Sequence, residues 1–214
     1  MINKEKVDVM YNKNSDGVIH FKNIIPENDL NLILNEIKTN SHLFEKKDEK
    51  YIENNQDVAL IYRGDFSLTS LDSTVFKNVF RQYIEIRSEI EKFSDLPFEK
   101  GNVLEAKIIR YPVSDLGVGI HRDLSSNVNM ITFFNLFGKV KFYTYKDKDG
   151  NRMNEYLLKA GDISLMRGQR LNEIEDIRPL HGVEEVNEER LVLAIREIRT
   201  DLEEIVNKGN WRGF

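Results

Sequence analysis

Two histidines and one aspartate have the residue types and spacing to bind a transition metal. His121 and Asp123 are separated by a single residue, and His181 lies in a later segment. Side chains at positions i and i+2 of a β-strand share a face, so His121 and Asp123 can point at one ion. Two imidazoles and a carboxylate suit Fe(II), and Mn(II), Co(II) or Ni(II) fit the same ligands. The sequence therefore predicts a metal site at these three residues, with coordination positions left open for other molecules.

Arg190 and Arg196 supply a possible anion site further along the chain. They stand on one face of a predicted strand, RLVLAIR, because alternate strand residues share a face. Two arginines on an otherwise apolar strand face require an anion, since a buried charge without a partner is costly. A dicarboxylate is one candidate. The alternative is an exposed strand on which the arginines pair with Glu184, Glu188 or Glu197.

The composition limits which classes of protein and site are possible. The 214 residues include no cysteine and four histidines, so a metal must be held by nitrogen and oxygen ligands. The net charge of −5 argues against a broad phosphate-binding surface but permits a local basic groove. No apolar run is long enough to span a membrane, and the N-terminal residues have no signal-peptide core. We expect a cytoplasmic protein without a membrane-spanning segment.

Residues 1–100 are expected to form helices and supporting strands. From Pro26, apolar residues recur at helical spacing and predict an amphipathic helix with Leu30, Ile33, Leu34 and Ile37 on one face. A second helix is predicted over Ser73 to Lys92, with these residues facing inward: Val75, Val79, Phe80, Tyr83, Ile86 and Ile90. Short strands are predicted at Val7 to Met10, Gly17 to Phe21 and Val58 to Tyr62, with an exposed polar loop over 45–56.

Residues 101–198 have the pattern of a β-rich core. Turn signals separate eight strand-like segments, at 103–110, 117–121, 128–136, 139–145, 155–158, 162–166, 180–186 and 190–198. Short strands at this spacing favour a double-sheet jelly roll, or double-stranded β-helix. We predict an α+β, mainly β fold with the N-terminal helices packed on one sheet. A single domain over 1–214 would end in a C-terminal helix or tail at 199–214.

The stretch from about 103 to 198 resembles the catalytic core of the Fe(II)/2-oxoglutarate-dependent dioxygenases. The segments IIRYP, GIHRD, YLLKAGDISLMRG, RPLHGV and ERLVLAIRE follow one another in the order usual for that core. The spacing of Arg190 and Arg196 is similar to the AlkB-like branch. The short step from His181 to Arg190 is similar to prolyl-hydroxylase-type members, so the branch stays open.

The resemblance implies a role for each candidate residue. His121, Asp123 and His181 would be the iron ligands. Arg190 would pair with the distal carboxylate of 2-oxoglutarate, and Arg196 would lie nearby on the same strand. Three further residues would face or contact the co-substrate: Tyr111, Asn135 and Phe133.

The resemblance also implies the reaction, while the substrate stays open. An Fe(II) enzyme of this kind uses O2 and 2-oxoglutarate, releases succinate and CO2, and hydroxylates a C–H bond. Asp123 favours oxygenation, because halogenating relatives have a small residue in place of this carboxylate. We expect a small-molecule substrate; the alternatives are AlkB-like oxidative demethylation or hydroxylation of nucleic acid or protein, and a non-catalytic cupin-like sensor. A basic surface for nucleic acid would come from these residues: Arg152, Arg167, Arg170 and Arg178.

Overall fold

The computed structural model describes residues 2–47, 56–63, 73–95, 97–100, 102–111, 113, 117–169, 176–184 and 186–199. Three α-helices lie in these ranges: α1 Lys4–Tyr11, α2 Glu27–Thr39 and α3 Lys77–Phe93. Short 3-10 turns occupy Ser41–Leu43, after α2, and Ser73–Phe76, before α3. None of these helices combines the length and the apolar character needed to cross a bilayer.

Eleven strands occur in the same ranges. Their bounds are β1 Val18–Phe21, β2 Glu45–Lys47, β3 Gln56–Arg63, β4 Val103–Tyr111, β5 Val118–His121, β6 Asn127–Phe137, β7 Lys139–Tyr145, β8 Arg152–Lys159, β9 Ile163–Arg167, β10 Leu180–Val183 and β11 Arg190–Ile198. A seven-stranded sheet has the order β1-β9-β6-β11-β4-β3-β2, and a four-stranded sheet has the order β5-β10-β7-β8.

Strands β4 to β11 form the jelly roll that the sequence predicts. Each strand-like segment between 103 and 198 corresponds to one of them, and the ladders that join these strands are antiparallel. β1 extends the larger sheet at one end, and the β3–β2 pair extends it at the other. The predicted α+β, mainly β double-stranded β-helix is confirmed.

The helices cover the outer face of the seven-stranded sheet. Ile33 of α2 and Val79 of α3 are buried in one cluster with Leu191, Leu193 and Ile195 of β11. Both helices have the apolar faces that their sequence periodicity predicts. The expected packing of the N-terminal helices on one sheet is therefore confirmed.

The inner face of the same sheet forms a second core with the four-stranded sheet. Val192 and Ala194, which alternate with the helix-facing residues of β11, are buried here. They share the cluster with Ile131 of β6 and with Phe142 and Val183 of the smaller sheet. Because strand side chains alternate, β11 separates a helix-facing core from an inter-sheet core. The metal and anion candidates belong to the inter-sheet side.

The predicted strand at Val7 to Met10 is wrong, because these residues lie in α1. The side chain of Asn3 caps the helix by accepting a hydrogen bond from the Lys6 backbone N–H at 3.0 Å. Val7 and Met10, three positions apart, then share the buried face of the helix. The local alternation of apolar and polar residues is also that of a strand, but the cap and the packing select the helix.

Two further predictions need correction at their edges. Glu45–Lys47, expected at the start of an exposed loop, forms β2 and pairs with β3. The predicted second helix begins as the 3-10 turn at Ser73–Phe76 before α3 continues it. Residues 48–55 of the expected loop and the predicted C-terminal helix from residue 200 onward lie outside the described residues.

A buried polar network fixes α3 to β11. The Glu197 carboxylate, on a side chain only 7% exposed, accepts hydrogen bonds from three side chains. Tyr83 donates at 3.0 Å, Arg87 Nε at 2.6 Å and Asn129 Nδ2 at 2.7 Å. Burial and the Glu197 carboxylate raise the pKa of Tyr83, so its hydroxyl stays a donor. The network holds in place the strand that carries Arg190 and Arg196.

Replacement of Glu197 by Ala should lower the free energy of unfolding by about 2–3 kcal/mol, because it leaves the buried Tyr83 hydroxyl and the partly buried Arg87 without their shared acceptor. Glu91 is the matched control, since it also pairs with Arg87 but is 33% exposed. Glu91→Ala should cost less than about 1 kcal/mol. Urea unfolding of both variants measures the difference, and equal losses would contradict this assignment.

Candidate metal centre

The three predicted ligands come together at one end of the four-stranded sheet. His181 of β10 is the pairing partner of His121 of β5, so both side chains lie on the same face. Their ring centroids are 4.2 Å apart. One ligand atom from each of His121, Asp123 and His181 lies within 4.8 Å of the others. Asp123 lies two residues beyond the end of β5, where the chain leaves the sheet.

Two glycines permit the close approach of the two strands. Gly117 has a positive φ of 60°, and a Cβ there would lie 2.0 Å from the carbonyl oxygen of Val183 on β10. A larger residue would push β5 away from β10. Gly119, which also precedes the ligands, has open space around its Cα. On the facing strand, a Cβ at Gly182 would lie 2.9 Å from the carbonyl oxygen of Val118, so Gly117 and Gly182 are both required for this close pairing.

Backbone carbonyls fix the orientation of both histidine rings. Nδ1 of His121 lies 2.8 Å from the carbonyl oxygen of Gly119, and Nδ1 of His181 lies 3.1 Å from that of Pro179. A carbonyl oxygen only accepts hydrogen bonds, so each Nδ1 carries the proton and donates it. Each ring then turns Nε2 toward the site, which is the arrangement found in metal-ligating histidines.

The surroundings keep these ligands in the protonation states that a metal requires. Burial is the largest single influence on Asp123 and disfavours its carboxylate, but Arg196 at 3.8 Å, the two histidines and Arg178 together outweigh it and lower the pKa of Asp123. Burial, assisted by His121, lowers the pKa of His181 to about 4. An ionised carboxylate and a neutral imidazole therefore coexist at neutral pH.

The Asp123 carboxylate has an oxygen that fits a metal ion. Its Oδ2 atom is buried and accepts no hydrogen bond from the described residues. Buried polar atoms normally have a partner, and this oxygen stands without one beside two oriented imidazoles. A divalent cation would supply the partner, and the nitrogen and oxygen donor set suits Fe(II). The residues present therefore fit a metal.

Arg190 is a buried cation whose contacts within the described residues are with neutral groups. Its side chain donates from Nη2 to Asn135 Oδ1 at 2.7 Å, and its guanidinium lies 5.2 Å from the ring centroid of Tyr111. Arg190 is 4% exposed, and burial lowers its pKa to about 10. The remaining N–H groups of its planar fork match the geometry of a carboxylate.

The alternative pairing of the arginines with glutamates does not occur in the described part of the chain. Glu184 pairs with Arg152, and Glu197 pairs with Arg87. Glu188 accepts a hydrogen bond from a backbone N–H of Lys139. Among the described residues, no carboxylate pairs with Arg190, as expected of a site for a bound anion.

Arg196 lies at the metal end of β11. Its Nη2 atom is 3.8 Å from Asp123 Oδ1, and its guanidinium lies 5.8 Å from the ring centroid of Phe133. The two arginines of the predicted pair therefore differ in their neighbours: Arg190 contacts Tyr111 and Asn135, whereas Arg196 contacts the candidate metal ligand.

Asn135 connects Arg190 to a buried pair that sequence reasoning misses. The Asn135 side chain donates from Nδ2 to the backbone carbonyl of Asp162 at 3.2 Å, so its Oδ1 is directed at Arg190. The Asp162 carboxylate lies 3.0 Å from His20 Nε2. In the sequence, Asp162 is visible only as part of an Ala-Gly-Asp turn, and nothing links it to His20. Only the β1–β9 pairing brings the two together.

Three of the four arginines considered for a basic surface are engaged in contacts within the protein. Arg152 pairs with Glu184, and Arg178 makes a bidentate pair with Asp176. Arg167 is 4% exposed and donates to backbone carbonyls, among them those of Met10 and Ile177. Arg170 lies outside the described residues.

The metal-free protein should lose stability as the pH falls from about 6.5 to about 4. Folded His181 has a pKa of about 4, so over this range the unfolded chain binds a proton that the folded chain does not. The difference between the folded and unfolded pKa of His181 corresponds to a loss of about 3 kcal/mol in the free energy of unfolding, at about 1.36 kcal/mol per pKa unit. Asp123 does not contribute to this loss of stability. Its pKa in the folded protein is lowered, so it affects stability only below the ordinary carboxyl value of 3.8.

Urea unfolding in the presence of a chelator, at several pH values, measures this loss. His181→Gln should reduce the loss of unfolding free energy between pH 6.5 and about 4. His42→Gln, at an exposed position, should leave that loss unchanged. The same fall in both variants would show that another group is responsible.

Comparison with known proteins identifies the fold. No family model matches the sequence, and no curated protein matches it. Among solved structures, a prolyl hydroxylase from Trichoplax adhaerens, in complex with a peptide fragment of hypoxia inducible factor, has a TM-score of 0.65 at 13% identity. That match covers 94% of this chain and 93% of the other.

Two bacterial structures are similar in the same way. A Pseudomonas putida prolyl-4-hydroxylase has a TM-score of 0.62 at 14% identity, over 90% of this chain and 98% of the other. An oxidoreductase of the 2OG-Fe(II) oxygenase family from Burkholderia pseudomallei has a TM-score of 0.54 at 12% identity, over 92% of this chain and 90% of the other. The chain has the double-stranded β-helix fold of the Fe(II)/2-oxoglutarate oxygenases.

Proposed function

We propose that this chain is an Fe(II)- and 2-oxoglutarate-dependent oxygenase that hydroxylates a C–H bond of a small molecule, releasing succinate and CO2. The observation that carries the proposal is the coexistence, inside one jelly roll, of an oriented His-Asp-His cluster with a buried Arg190 whose partners among the described residues are neutral. Either feature alone is compatible with a purely structural role. Together they match a metal and a co-substrate carboxylate. Residues 1–214 act as a single domain in this proposal.

His121, Asp123 and His181 hold the iron, which, when bound with 2-oxoglutarate, supplies the activation of O2. Both histidine rings are held by backbone carbonyls, so they offer Nε2 without reorientation. Arg196 keeps the Asp123 carboxylate ionised through its positive charge. The backbone carbonyls and Arg196 therefore orient and ionise the ligands without the metal.

Arg190, Tyr111 and Asn135 hold the distal carboxylate of 2-oxoglutarate. Arg190 supplies the charge, Asn135 fixes its fork from one side, and the Tyr111 ring lies against it. A charge-assisted pair inside the inter-sheet core is stronger than one in water because fewer waters compete for it. Val192 and Ala194, between the two arginines on β11, are fully enclosed and exclude water from this part of the site.

A small-molecule substrate is supported by charge. The chain carries a net charge of −5, and three of the four arginines considered for a basic surface are paired or enclosed. Hydroxylation of a protein side chain and AlkB-like oxidation of nucleic acid are the alternatives, the latter on the spacing of Arg190 and Arg196. Nucleic-acid binding that weakens as salt rises would favour the last of these.

Addition of Fe(II) and 2-oxoglutarate without oxygen should produce a weak visible charge-transfer band. His121→Ala and Asp123→Ala should abolish the band, because each removes a ligand. His42→Gln, at an exposed position away from the cluster, is the control and should retain it. An undiminished band in either ligand variant would contradict the ligand assignment.

Turnover without a prime substrate separates an enzyme from a cupin-like sensor on the same scaffold. In air, the iron-loaded protein should slowly convert 2-oxoglutarate to succinate, and Asp123→Ala should not. Metal binding without any succinate would favour the sensor, since fold does not fix function.

Arg190→Ala should weaken 2-oxoglutarate binding without changing the iron requirement. Loss of charge-assisted bonds of about 2–3 kcal/mol corresponds to roughly a 30- to 150-fold rise in Kd. Arg190→Lys keeps the charge but loses the fork, so its Kd should lie between those of the wild type and the alanine variant. Titration of the visible band with 2-oxoglutarate gives both values. An alanine variant with the wild-type Kd would exclude Arg190 as the carboxylate partner.

A further inference from the structure

The two segments that carry the metal ligands are tied to each other by Arg122, Asp176 and Arg178, which we call the Asp176 clasp. Arg122 Nε donates to the backbone carbonyl of Arg178 at 2.9 Å. In the opposite direction, Arg178 Nη1 donates to the backbone carbonyl of Asp123. Each arginine therefore holds the backbone of the segment to which the other belongs.

The Asp176 carboxylate fixes both arginines. Arg178 makes a bidentate pair with it, from Nε to Oδ1 at 2.8 Å and from Nη2 to Oδ2 at 2.7 Å. Arg122 Nε lies 3.7 Å from Oδ2 of the same carboxylate. A bidentate pair restrains the guanidinium plane as well as its position. The Nη1 bond to Asp123 is thus made by a group whose orientation is already set.

The segment before His181 depends on side chains for its position. Residues 176–179 lie outside any strand, and Pro179 has no backbone N–H to donate. The three consecutive carbonyls of Ile177, Arg178 and Pro179 accept hydrogen bonds from Arg167 Nε, Arg122 Nε and His181 Nδ1, in that order. Hydrogen bonds from side chains therefore hold this segment in place, as backbone pairing holds the strands of a sheet.

The clasp lies at the surface and not in a core. Asp176 is 41% exposed and Arg178 is 15% exposed. All three residues line a cleft of about 470 Å³. Neither apolar cluster between or outside the sheets includes them. Loss of the clasp should therefore change the relative position of the ligand segments more than it changes the stability of the fold.

We propose that Arg122, Asp176 and Arg178 are positioning residues that set the separation of the Asp123 and His181 ligands, and thereby the affinity for the metal. The proposal rests on the ligand assignment under the proposed function. None of the three side chains belongs to the ligand cluster. They act through the backbone of Asp123 and through the carbonyls that precede His181.

Co(II) titration followed by visible absorption tests the clasp, because it reports both affinity and ligand geometry without turnover. Arg178→Lys cannot keep the bidentate pair and the bond to Asp123 together, so Co(II) affinity should fall about 10- to 100-fold. Asp176→Asn should give a smaller loss, since both backbone bonds can still form. In both variants the bands at saturation should shift in energy or intensity relative to the wild type.

Arg152→Lys is the control, because Arg152 on β8 also pairs with a carboxylate, that of Glu184, and neither residue belongs to the ligand cluster. It should bind Co(II) as the wild type does, with the same spectrum. Thermal unfolding of the metal-free clasp variants should match that of this control. If Arg178→Lys does not fold, Asp176→Asn decides the question.

The outcomes separate this inference from the proposed function. Wild-type affinity and spectrum in Arg178→Lys and Asp176→Asn would overturn the clasp and leave the metal site intact. Failure of the wild type itself to bind Co(II) would overturn the ligand assignment, and the clasp with it.

Discussion

The pairing of β5 with β10 is the constraint on which the rest of the site depends. His121 and His181 are direct partners in this ladder, so their rings share a face and their centroids are 4.2 Å apart. A slip of one residue would turn one ring to the opposite face. Gly117 permits the strands to approach, and the carbonyls of Gly119 and Pro179 then set both rings. The register of the β5–β10 ladder thus decides which face the two rings share, and the backbone carbonyls then orient them.

The second requirement is a charge that the protein leaves unbalanced. Arg190 is enclosed, and within the described residues its partners are an amide oxygen and an aromatic ring. Such a group lowers the stability of the ligand-free fold, and a carboxylate would restore the balance. By contrast, Arg87 on the helical side of the same sheet has a buried carboxylate partner. This difference in partners is the reason that we propose a binding role for Arg190 and assign a structural role to Arg87.

The sequence predicts the core of this structure better than its edges. Strand periodicity between 103 and 198 and the His-x-Asp, His and arginine spacing are sufficient to place β4 to β11 and to nominate the ligands. The strand prediction fails at α1 because the packing partners that select the helix are not local in sequence. The Asp176 clasp escapes prediction, since Arg122 and Arg178 look like exposed arginines until pairing brings their segments together. The domain division and the substrate class stay predictions.

The alternation along β11 also bears on how this protein can be engineered. Leu191, Leu193 and Ile195 contact the helices, whereas Arg190 and Arg196 face the opposite layer. The two sets of positions are nevertheless neighbours on one strand, and the effects of neighbouring substitutions do not simply add. A repacked helix-facing side can therefore shift the strand that carries Arg190 and Arg196, so the two faces of β11 have to be redesigned together.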